Sequence, residues 1–154
     1  LVGNLNGVFY KNSPEAIWQL ESFGGDGHTQ IGSLLIPGST STVPTYALTQ
    51  VQFNAFEPGD QRKLNWVKTY DIGGNSYSFP FKYKLSRAKA DNTGEYDMVL
   101  RLAEQFLIRA EARVKQGTNI AGAISDLNTV RNRAGLPDYS GPQDSTAMLT
   151  AILH

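Results

Sequence analysis

Residues 100–135 read LRLAEQFLIRAEARVKQGTNIAGAISDLNTVRNRAG, and their pattern decides the fold. Val99, Leu102, Ala103, Phe106, Leu107, Ala110 and Val114 recur at steps of three and four, the period of a helix with one apolar stripe. Gly117 tolerates the left-handed conformation that commonly follows a last helical turn. Asn119 is a capping residue for a second helix. The stripe of that helix is Ile120, Ala123, Ile124, Leu127 and Val130, and Gly135 and Pro137 end it. A link this short makes the two helices antiparallel neighbours. Alanines at 103, 110 and 123 let their backbones approach closely.

Pattern alone gives a helical hairpin and no function. The residue identities add more. Leu100 to Glu104, Leu107 to Ala112, Gly117, Ala123-Ile124, Leu127-Asn128, Val130-Arg131 and Arg133-Ala134-Gly135-Leu136 together resemble the signature of the SusD/RagB family. Those proteins are surface-exposed, nutrient-binding lipoproteins of Bacteroidetes. The resemblance implies a tetratricopeptide-like scaffold for these helices. It also implies a longer parent chain, with a lipidated N-terminal Cys, further helical repeats ahead of this region and an Arg- and Trp-rich segment after it. The chain stops at Ala151-Ile152-Leu153-His154 within a helical pattern, so it is read as an internal, C-terminal-half fragment. Its membrane contact is expected through a lipid anchor that lies outside the fragment.

Composition bounds the alternatives. At 154 residues the chain is long enough for one domain with a core. Lys plus Arg and Asp plus Glu number 14 each, so no net field attracts nucleic acid or anionic lipid. No segment approaches the roughly 18–20 consecutive apolar residues that span a bilayer. Cysteine is absent, which removes disulfides, thiolate metal sites and Cys nucleophiles. His28 and His154 lack the spacing of a zinc motif, Asp26 stands alone in its glycine-rich loop, and no Gly-Lys-Ser/Thr follows those glycines. No cofactor is expected.

The fold expected is mostly α with a small β-hairpin, and 1–154 forms a single domain. Residues 1–97 make a loop-rich region with short strands and one helix, and 98–154 a helical region. In order, Leu1–Tyr10 is loop-like, and Ser13 before Pro14-Glu15 caps a helical turn. Ala16–Glu21 reads as a strand buried on both faces, with Trp18 in the core; Glu15-Ala16-Ile17-Trp18 also resembles the family's first strand after its helical half. Phe23–Ser41 reads as loop. A shorter helix spans Thr45–Phe56. Asp60 and Arg62 anchor local backbone or pair with each other. Leu64–Tyr70 and Tyr77–Lys84 form a hairpin around Ile72–Ser76. Ser86–Tyr96 is a polar connection, and Asp97 caps the first long helix, on which Arg101–Glu104 and Glu111–Lys115 make surface pairs. Asp144 or Ser145 caps a third helix, striped by Ala147, Met148, Ala151 and Ile152.

Function is expected to be non-catalytic binding. Sugar rings expose C–H faces that stack on aromatic rings, while amides and charged groups bond their hydroxyls. On a hairpin strand Trp66, Lys68 and Tyr70 share one face, the two rings roughly 13 Å apart, with Asn75 and Tyr77 across the turn. These five are the expected ligand residues. They come from residue chemistry, since no family site transfers residue by residue. The resemblance implies an oligosaccharide or related nutrient as ligand, a TonB-dependent transporter of the SusC type as partner, and an outer-membrane, cell-surface location. Two other classes fit the sequence less well. A glycosidase needs paired carboxylates, and those here are scattered without a nucleophile elbow or metal motif. A helical-repeat adaptor for peptides needs about three repeats, and the Gly/Pro-rich first half does not supply them.

Overall fold

Helix α4 (Leu102–Gln116) and helix α5 (Ile120–Arg133) form the expected antiparallel pair, and α6 (Ser145–Leu153) packs against α4. They belong to a computed structural model that describes residues 1–21, 27–87 and 94–154. The glycines and aspartate at 24–26, and Lys89, Asp91 and Asn92 of the polar connection, lie outside the described residues. Gly117 takes φ 66°, and its N–H closes the last turn of α4 on Arg113 and Val114. The Asn119 carboxamide accepts the Gly122 N–H at 2.8 Å, and the Asp144 carboxylate accepts that of Ala147 at 3.0 Å. Ala110 and Ala123 are fully buried where α4 meets α5. Val114, Leu127, Met148 and Ile152 fill the rest of that core. Glu111 and Lys115 pair at 2.6 Å on the surface.

The first long helix begins later than its stripe suggests. Asp97–Arg101 is strand β4, antiparallel to β1 (Ala16–Leu20). Asp97 is therefore no helix cap, and Val99 and Leu100 belong to the strand. Strand pairing satisfies the backbone that a helix would otherwise have used. The first helical N–H, of Leu102, donates to the Glu15 carbonyl at 2.8 Å, so α4 starts without a side-chain cap. Arg101 turns toward Glu15 at 3.9 Å, and no ion pair joins it to Glu104 among the described residues.

Strand β1 is also not buried on both faces. Its sheet has two strands, with register irregularities on either side of Trp18, and Ile17 and Trp18 are 53% and 52% exposed. The irregularities break the two-residue alternation, so both side chains reach solvent and Trp18 is not a core residue. Ahead of β1, Ser13 caps a turn as expected: its hydroxyl accepts the Glu15 N–H at 3.3 Å. The loop-like start contributes a second core, in which Val8, Phe9 and Tyr83 are buried and Trp66 and Met98 pack against them.

Among the described residues, three further α-helices precede the hairpin. Helix α1 (Gln30–Leu35), capped by Thr29, falls in a stretch whose composition reads as loop; α2 (Gln50–Asn54) is shorter than 45–56 because the Thr49–Gln52 capping box starts it there. Helix α3 (Gln61–Trp66) takes residues expected in a strand. Asp60 caps it, accepting the Arg62 N–H at 2.8 Å and pairing with the Arg62 guanidinium at 2.6 Å, as its structural reading anticipates. Strands β2 (Val67–Ile72) and β3 (Asn75–Pro80) then pair antiparallel, with Ile72 opposite Asn75. Gly73 and Gly74, at φ 59° and 80°, make the two-residue turn that only positive φ allows.

Candidate functional site

The β2–β3 register sorts the expected ligand residues. Tyr70 stands opposite Tyr77, Lys68 opposite Phe79, and Ile72 opposite Asn75, so all six share one face. The other face is small and polar: Thr69 bonds Ser78 at 2.8 Å, and Ser76 donates to Asp71 at 2.5 Å. Four of the five residues, Lys68, Tyr70, Asn75 and Tyr77, are thus brought together. Trp66 is not. As the last residue of α3 it turns inward, its indole N–H donates to the Leu5 carbonyl at 3.0 Å, and its ring meets Phe9 edge-on at 5.4 Å. The Arg101 and Arg133 guanidinia lie 5.7 and 5.8 Å from it. The α3 helix removes Trp66 from the strand alternation that placed it beside Tyr70.

Of the hairpin face, Lys68 also lines a cleft of about 480 Å³. Lys68 joins the two: its ammonium lies 5.4 Å from the Tyr70 ring centroid and 4.8 Å from that of Phe81. Asn6, Tyr10, Asn65, Phe81 and Lys84 complete the polar and aromatic lining. The Phe81 N–H donates to the Trp66 carbonyl at 2.7 Å, which fixes the ring beside the start of β2. Asn6 donates to the Asn65 side chain at 2.8 Å, and Asn65 donates to the Gln61 carbonyl at 2.8 Å, so the two amides are locked across the cleft wall.

Lys84 is the most perturbed group there. Its ammonium donates to the Asn65 carbonyl and, at 2.6 Å, to the Phe81 carbonyl, and lies 4.3 Å from the Phe81 ring centroid. Burial holds its pKa down at about 8. The Lys68 charge pushes the same way, and the Glu95 carboxylate pushes against it. Glu95 is itself buried, accepting the Lys84 and Leu85 backbone N–H groups at 2.7 and 3.0 Å.

Sequence reading missed Tyr10, Phe81 and Lys84 as cleft residues. Phe81 and Lys84 fell inside a strand predicted to run to residue 84, whereas β3 ends at Pro80; a proline that closes a ladder was the available signal. Tyr10 joins by a long-range bridge to Glu95, which no local pattern announces. A second cleft, of about 610 Å³, lies beside α6 between the Arg131–Glu57 pair and the Tyr139 ring. Among the described residues, no three His, Asp or Glu side chains are placed to hold a metal ion, and no helix is long and apolar enough to cross a membrane.

Comparison with curated proteins gives no match. Solved structures match the fold over nearly the whole chain. A SusD superfamily protein from Parabacteroides distasonis ATCC 8503 superposes with a TM-score of 0.77 at 20% identity, over 99% of this chain and 38% of its own. One from Bacteroides fragilis NCTC 9343 gives 0.75 at 21%, over 100% and 40%. Surface glycan-binding protein A from Bacteroides uniformis gives 0.68 at 19%, over 98% and 37%. The chain therefore spans about two fifths of the length of these proteins. The model of the SusD family matches residues 53–154, more than half of the chain, and includes the helical hairpin and the β2–β3 face: the chain belongs to the SusD family.

Proposed function

We propose that this chain contributes to the capture of an oligosaccharide or related nutrient at the bacterial outer surface, without chemical change, for delivery to a TonB-dependent transporter of the SusC type. Family membership supports this reading. A similar protein from Bacteroides uniformis is described as a surface glycan-binding protein. Within the chain, the observation that carries the reading is the cleft lined by Tyr10, Phe81, Lys84 and the two locked amides, with Lys68 reaching from it to the Tyr70 ring. Aromatic rings there offer stacking surfaces, and the amides and ammonium groups beside them offer hydrogen bonds to hydroxyls, the mixture that sugar recognition uses. Lys68, Tyr70, Asn75 and Tyr77 remain the proposed ligand residues, with Tyr10 and Phe81 added. Trp66 supports them from within the core.

A glycan microarray probed with the full chain tests this. Binding to a defined oligosaccharide is expected, reduced several-fold in Tyr77→Ala and Tyr10→Ala, at the roughly 0.5–1.5 kcal/mol of an aromatic contact. No new reducing ends should form on prolonged incubation with the bound glycan. Hydrolysis products, or binding unchanged in both variants, would overturn the reading.

A further inference from the structure

We infer that the cleft selects an acidic sugar, with its carboxylate or sulfate ester held by the ammonium groups of Lys68 and Lys84 beside the Phe81 ring. This rests on the oligosaccharide reading and narrows it to a chemical class. Two cations converge on one aromatic ring, at 4.8 and 4.3 Å from its centroid. The described residues that line the cleft include no carboxylate, so nothing on its wall neutralises the pair. Lys84 cannot swing away to solvent cheaply, because two backbone carbonyls take two of its three N–H donors. Glu95, the acidic group that acts on it, already accepts two backbone N–H groups.

The cost of this arrangement is visible in Lys84 itself. Its charge is disfavoured by burial and by Lys68, and the attraction of an entering anion offsets both. A neutral sugar leaves the repulsion in place. A carboxylate or sulfate relieves it, taking the remaining Lys84 donor and the exposed Lys68 ammonium in charge-assisted hydrogen bonds. Tyr10 and the locked Asn6–Asn65 pair border the same space and would contact the rest of the ring.

The charged groups acting on Lys84 are Lys68 and Glu95, so the pH dependence has a definite sign. Below about 8 Lys84 is charged in the free cleft, and above it that charge is lost. Affinity for an anion therefore falls as pH rises through that value, and affinity for a neutral analogue does not.

Calorimetry on the full chain with trigalacturonate and its methyl ester, and with a sulfated galactan trimer and its desulfated form, tests this. One acidic member should bind about tenfold or more tighter than its neutral partner. Raising the pH from 7 to 9 should narrow that gap. Lys68→Met, at an exposed position, should narrow it several-fold, with Lys84→Arg retaining it. Neutral and acidic partners binding equally would overturn the proposal while leaving the oligosaccharide reading intact. Equal competition by inorganic sulfate would also overturn it, since the site would then read charge without the sugar. If none of the four trisaccharides binds, the acidic-sugar assignment falls, and the microarray decides separately whether oligosaccharide capture falls with it.

Discussion

Two buried carboxylates hold the two halves of this chain, and they do so over very different distances in sequence. Asp126 receives Arg109 at 2.6 Å and Arg113 at 2.5 Å, partners 17 and 13 residues away on the neighbouring helix. Glu15 receives Arg133 at 2.6 Å across 118 residues, together with the Val2 N–H at 2.9 Å. The first node clamps α4 to α5, which short-range packing has already brought together. The second fastens the N-terminal segment and β1 to the end of α5, and Trp66 packs beside its arginines. A local contact adds to an element that already exists. The distant one helps to fix where the half that carries the hairpin sits.

The largest expected effect follows from that difference. Arg133 and Glu15 side chains are 5% and 0% exposed, so removing Arg133 leaves the buried Glu15 carboxylate with only the more distant Arg101, at 3.9 Å, as its cation. Arg133→Met should cost about 3–5 kcal/mol, read as a shift in the urea midpoint. Arg109→Met, whose side chain is 55% exposed, should cost no more than about 1 kcal/mol. Equal losses would break the distinction. Next in size is a test of the local half. Ala123 is fully buried against α4, and Ala123→Leu should cost about 1–3 kcal/mol by overpacking. Tryptophan fluorescence sharpens the comparison: Trp66 and Trp18 both lie in the first half, so Arg133→Met should move the native emission and Ala123→Leu should not.

The same contrast explains what the sequence disclosed. Helix stripes, Gly117, Asn119 and Asp144 act within one or two turns, so the helical hairpin and α6 were legible nearly to their ends. The start of α4 was not, because the Glu15 carbonyl replaces a side-chain cap from 87 residues away. In the first half, Thr29 and Asp60 each start a short helix whose few apolar residues give no periodicity to read, whereas the helix that Thr49 starts was expected, over a longer span, at 45–56. Of these, Asp60 was recognised as structural while the helix behind it was taken for strand. That one error moved Trp66 out of the core and onto the proposed ligand face. The face itself survived, because Tyr70, Asn75 and Tyr77 depend only on alternation and on the Gly73-Gly74 turn. The cleft was hidden for the opposite reason: Tyr10, Asn65, Phe81 and Lys84 meet through pairings that local spacing does not encode.

The smallest expected effect comes from a pair intermediate between the two nodes. Arg131 on α5 reaches Glu57 after α2 in a bidentate pair, at 2.6 and 3.0 Å, so it too ties the halves together over 74 residues. Its span is long, but its burial is not: the Glu57 side chain is 39% exposed. The Arg131 hydrogen bond holds the Glu57 carboxyl below its ordinary value of 4.5. A carboxylate with a lowered folded-state pKa contributes stability that is present above the unfolded value and is lost as pH falls through the folded one. Glu57→Gln should therefore destabilise by no more than about 1 kcal/mol at pH 7, and less in high salt. The difference from the parent chain should shrink below pH 4.5 and vanish once Glu57 is protonated in the folded state. A cost approaching that of Arg133→Met would mean that span in sequence, and not burial, sets the strength of the ties between the two halves.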